Sequence, residues 1–200
     1  MQNFINKISK PAKLIAIICF LVTAVFHLIG YISGFPDAFM PVIAHLFNMF
    51  FWVALLAIIP LLLLLKKDKE ARLIISAFAC YWALTIINEL MGLAEIIRSE
   101  APALMVIAGI FALIAALGLM VVVVFMVLSL VLGLNLKGLS RFILVCTFGA
   151  FFFTFLFVFI YYVSIDGGGD VILTMLIDLL VMPTAVIFSI LYLDSSNASN

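Results

Sequence analysis

Charge is scarce in this sequence. Charged residues make up 10% of the chain, where a soluble domain has about a quarter. With 68% of its residues apolar, the chain has too little polar surface to face water, which excludes a soluble globular fold. Catalytic and ligand motifs are scarce too. There are 2 histidines and no HExxH, and Glu89 and Glu95 stand six apart, which does not match the EExxxR pattern of membrane CAAX-type proteases. The loop SIDGGGD, residues 164 to 170, has glycines but no phosphate-binding lysine, and reads as a solvated turn. Cys19, Cys80 and Cys146 are odd in number and share no metal-ligand spacing, so they read as free thiols acting as small apolar side chains.

What the sequence does have is long apolar runs. A membrane span needs about 20 such residues, and runs of that kind cover approximately 14 to 33, 42 to 65, 73 to 97, 103 to 134, 142 to 164 and 171 to 193. Stretches such as LIAIICFLVTAVF and LMVVVVFMVLSLVL do not alternate, which excludes a transmembrane barrel. The reading is all-α: a polytopic six-transmembrane-helix bundle in a lipid bilayer, with residues 1 to 200 as one domain. The fourth run, about 48 Å as a continuous helix, exceeds a hydrocarbon core of about 30 Å and must tilt, bend or protrude.

Basic residues set the orientation. With the N-terminus inside, Lys7, Lys10, Lys13, Lys66, Lys67, Lys69, Arg72, Lys137 and Arg141 all fall inside, and only Arg98 falls outside. The expected topology is therefore N-in and C-in, in a cell membrane. Residues 1 to 13 are expected to lie along the inner surface, with their lysines on anionic headgroups, and the run after them reads as a retained helix, since no small-residue cleavage site precedes GFPDAF. No basic face remains for nucleic acid. The Asn197-Ala198-Ser199 sequon falls on the inner side and is set aside.

The polar residues within the runs gather on faces. On the third run Tyr81, Trp82, Thr85, Asn88, Glu89, Gly92 and Glu95 share an arc of roughly 140°. On the second, His45, Asn48 and Trp52 share a face; on the first, Thr23, His27 and Gly30 do; on the sixth, Thr174 and Asp178 stack. At 1.5 Å per residue, His27, Asn48, Glu89 and Asp178 come to lie roughly 9 to 12 Å below the outer surface, with His45 and Glu95 shallower. The expectation is an outward-facing polar pocket built by runs one, two, three and six, with His27, His45, Asn48, Asn88, Glu89 and Asp178 as ligand- or proton-binding residues. Glu95 reads as a partner of Arg98 near the surface. Trp52 and Trp82 are expected between the second and third helices. Pro183 releases the carbonyl of Leu179, beside Asp178. Ala108, Ala112 and Ala116, four apart, form a small-residue stripe suited to close helix packing or to a membrane-protein partner.

Two resemblances add expectations. The segments KISKPAKLIAIICF, AHLFNMFFW, SAFACYWALTII and LNLKGLSRF resemble helices of a family of small bacterial multi-spanning proteins classed as a domain of unknown function, which implies a bacterial cell-membrane protein and no particular activity. The six-helix, N-in/C-in architecture with an outer-half pocket is similar to the substrate-binding subunits of energy-coupling-factor transporters, whose first helix carries an Ala-x-x-x-Ala contact that Ala12 and Ala16 match in spacing. A transporter or solute- or ion-binding membrane component is the leading expectation. A membrane-embedded metal hydrolase using His27, His45, Glu89 and Asp178 is the first alternative, and a non-catalytic accessory or assembly subunit the second. Nothing in the sequence specifies a cofactor or a catalytic residue.

Overall fold

The computed structural model describes residues 2–34, 39–97, 102–132, 137–165 and 169–196, and the regular structure in these segments is helical. The elements are α1 (Gln2–Ser33), α2 (Phe39–Leu64), α3 (Asp68–Ile97), α4 (Ala103–Leu132) and α5 (Lys137–Ser164). The last span comprises α6 (Gly169–Leu176), a π-helical segment (Ile177–Val181) and α7 (Met182–Ser196). Six helical stretches are long and apolar enough to cross a bilayer, so the chain is built as a multi-pass membrane protein. The fourth span meets its excess length as one 30-residue helix.

The segment expected along the inner surface is helical and continuous with the first span, since α1 runs from Gln2 with Pro11 inside it. A proline there forfeits one helical hydrogen bond, to the carbonyl of Lys7, which the rest of a long helix tolerates. The joint between α2 and α3 is a tight turn with local hydrogen bonds. Lys67 N–H donates to the Leu62 carbonyl at 3.0 Å and Lys66 N–H to that of Leu63 at 3.3 Å, the Schellman pattern, with Lys66 at φ 56 in the left-handed position where glycine is usual. Asp68 and Glu70 then open α3, next to the positive end of its dipole.

Neighbours in sequence are neighbours in space, and the ring closes where the last span packs on α1. The most extensive contacts are α4 with α5 and α1 with α7; α2 touches α3 only sparsely, and α3 also reaches α7. The close approach of α4 to α5 has a visible cause. A Cβ placed on Gly118 would collide with Thr147 Oγ1, and Thr147 is itself buried, so the missing side chain of Gly118 sets the distance between these helices. Ala108, Ala112 and Ala116 are buried as well. This corrects the reading of their stripe as a surface for another membrane protein, because the chain's own helices cover it. Ala12 and Ala16 on α1 are likewise buried within the chain.

A charged pair lies in the bundle at the end where α3 begins and α7 ends. Arg72 Nη1 is 3.7 Å from Asp194 Oδ1, and Arg72 Nη2 donates a 2.7 Å hydrogen bond to the Leu193 carbonyl. Nearby, Lys13 Nζ sits 5.3 Å from the centroid of the Tyr192 ring, a cation–π contact from α1 to α7.

Candidate functional site

The sparse seam between α2 and α3 leaves room for a cavity of about 280 Å³. From α1 it takes His27 and Tyr31; from α2, Trp52; from α3, Trp82, Thr85 and Ile86; and from the last span, Asp178, Leu179 and Met182. Its walls thus come from four spans, and it lies toward the end of the bundle where α1 finishes and α6 starts.

His27 and Asp178 face each other inside it. The Nε2 of His27 is 3.5 Å from Oδ1 of Asp178, with the two side chains 29% and 39% exposed. That oxygen is buried and makes no hydrogen bond among the described residues, so the pair is in electrostatic reach without the alignment of a formed bond. The His27 ring also lies 6.5 Å from that of Trp52, tilted 28° from its plane. Trp52 also meets Phe78 edge-on at 5.9 Å and Tyr81 at 5.4 Å, which holds the indole in place from α3.

Asp178 owes its position to an irregular stretch of backbone. It is the second residue of the π-helical segment, whose wider register is visible where Met182 N–H bonds to the Ile177 carbonyl, five residues back. Pro183, two residues after the segment, supplies no N–H, so a main-chain carbonyl of the Asp178–Leu179 segment loses its helical partner. The bulge and the proline together set an acid and a released carbonyl beside the cavity. Single π turns of this kind recur at functional sites.

The structure divides the remaining candidates. His45 Nε2 is 2.7 Å from the Tyr31 carbonyl, and its ring meets that of Tyr31 edge-on at 5.1 Å. It ties α2 to α1 and does not line the cavity. Asn48 and Asn88 are exposed on α2 and α3 and lie outside the lining, as does Thr174 on α6. Thr23 is buried, with its hydroxyl donating to the Cys19 carbonyl at 2.8 Å. The side chains of Glu89 and Glu95, with Arg98 and the sequon, lie outside the described residues. Trp82 does not pair with Trp52 between α2 and α3; it stacks on Phe151 of α5 at 5.0 Å and 3°, while Trp52 packs on Phe78 and Tyr81 of α3.

Some residues carry a signal in the sequence that the polar faces described above leave out. Tyr31 follows His27 by four residues, one helical turn, which puts both on one face of the first span. Arg72 was assigned to the inner surface by charge alone. The available clue is Asp194, an acid just past the sixth apolar run, at the same expected end of the bundle.

For a metal, three or four converging donors are needed. Among the described residues no three His, Cys, Asp or Glu side chains come together. Of the four residues in the metal-hydrolase reading, His27 and Asp178 meet, His45 is turned to a backbone carbonyl, and Glu89 lies outside the described side chains. The cysteines Cys19, Cys80 and Cys146 are free. No protein-family model matches the chain, and no curated protein or solved structure matches it.

Proposed function

We propose that this chain is a transporter or solute-binding component of a cell membrane, with both termini on the cytoplasmic side and the cavity opening outward. The observation that carries the reading is the His27–Asp178 pair, 3.5 Å apart in a cavity walled by four spans and seated on the π-helical break of the last one. An ionisable pair in an apolar bundle costs free energy that plain packing does not repay, and such residues ordinarily line ligand or ion paths. A broken helix with an unpaired carbonyl at mid-span is how membrane carriers commonly expose backbone oxygens to a cargo. The nine basic residues expected on one side, against Arg98 on the other, support the orientation.

Thiol accessibility tests this reading. Thr85→Cys, in a chain whose own three cysteines are replaced by alanine, is expected to react from the outer side of intact cells with a membrane-impermeant maleimide. Reaction only from the inner side, or no reaction in folded protein, overturns it.

A further inference from the structure

We propose that the cavity takes a small monovalent organic cation, of the protonated-amine or quaternary-ammonium class. This rests on the solute-binding reading above and narrows it to one ligand chemistry. The lining offers a carboxylate and three aromatic rings, and its donors, apart from His27, are the neutral indole N–H groups of Trp52 and Trp82 and the hydroxyls of Tyr31 and Thr85. Asp178 brings a carboxyl group whose buried Oδ1, 3.5 Å from His27 Nε2, makes no hydrogen bond among the described residues. The bulge ahead of Pro183 adds a released main-chain carbonyl. The Thr85 hydroxyl already donates its proton to the Tyr81 carbonyl at 3.1 Å, so toward the cavity it presents lone pairs. Among the described residues neither Lys nor Arg lines the cavity, and His27 is the one basic side chain there. A carboxylate or phosphate ligand would therefore meet Asp178 with little to neutralise it.

The aromatic residues point the same way. Tyr31, Trp52 and Trp82 line the cavity together, and indole faces attract cations through their quadrupole, most strongly where water is sparse. Trp82 has one face stacked on Phe151, which leaves its other face or its edge for the cavity. The His27 ring lies over Trp52 at 6.5 Å with a 28° tilt, a loose contact that leaves room for a cation beside the indole. At about 280 Å³, the cavity matches a ligand of a few heavy atoms, near the lower limit of known binding pockets. A bare metal ion is disfavoured because three side-chain ligands do not converge among the described residues. An organic cation needs only one carboxylate, with the remaining surface aromatic.

The test compares three isosteric probes on the purified full chain in detergent, by titration calorimetry: choline, its neutral carbon isostere 3,3-dimethylbutan-1-ol, and the anion 3,3-dimethylbutyrate. Choline is expected to bind about tenfold or more tightly than the neutral isostere, and the anion weakest. Asp178→Asn is expected to erase the preference for choline. Trp52→Leu is expected to weaken choline by about tenfold, with Trp52→Phe losing less. The wild-type comparison does not depend on either variant folding. Equal binding of the neutral isostere, preference for the anion, or no binding by any probe overturns the cation proposal. In each of those cases the Thr85→Cys accessibility result still decides separately whether the cavity is an outward-facing site.

Discussion

Arg72 and Asp194 form a buried ion pair, 4% and 6% exposed, about 24 Å along the last span from Asp178. Asp178 and Asp194 thus have different settings. Asp194 is covered and held by a guanidinium, with packing as its role. Asp178 is half open, beside an imidazole and a cavity. Removing either member of the Arg72–Asp194 pair leaves a buried charge unmatched, which typically costs about 3–5 kcal/mol. Arg72→Ala, which also loses the bond to the Leu193 carbonyl, should lower the thermal unfolding midpoint more than Asp194→Asn. Arg72→Met with Asp194→Leu should recover most of the loss.

Gly118 faces Thr147 across the α4–α5 contact. Gly118→Ala should destabilise the bundle by about 1–3 kcal/mol through overpacking. Adding Thr147→Ala removes the obstructing hydroxyl, and the double variant should be more stable than Gly118→Ala alone. Thermal unfolding of the four species in one detergent measures the coupling.

Lys66 adopts φ 56 without needing its side chain for the turn. Lys66→Gly should stabilise the α2–α3 joint by about 1 kcal/mol, because a β-carbon is disfavoured in the left-handed region. Lys66→Ala should bring no such gain, which separates backbone conformation from loss of charge.

Pro183→Ala restores an N–H two residues after the π segment. The restored donor should pull the bulge toward α-helical register and draw Asp178 away from His27. Affinity for choline should fall several-fold while the unfolding midpoint holds or rises. A variant with unchanged affinity would show that the bulge does not position the acid.

His45→Ala is the matching control for His27→Ala. The first removes the 2.7 Å tie between α2 and the Tyr31 carbonyl and should cost about 1 kcal/mol of stability with little change in choline affinity. The second should change the affinity. Parallel calorimetry and thermal unfolding on both variants would separate the histidine that joins helices from the one that lines the cavity.

Run length and apolar composition sufficed by themselves for the six spans, because lipid obliges every backbone group to bond within its own helix and leaves the chain no other local structure. The same sequence also showed that His27 and Asp178 were out of place in apolar surroundings. It did not show which polar residues would meet. His45 and Asn48 share a face with Trp52 on α2, yet only the indole reaches the cavity, since that depends on how far α2 stands from α3. Helical spacing fixes angles within one helix and carries no information on the rotation of that helix against its neighbours. Tertiary packing alone decided that Gly118 would admit Thr147, that the alanine stripe would be covered, that Arg72 would find Asp194, and that the bulge before Pro183 would bring Asp178 to His27.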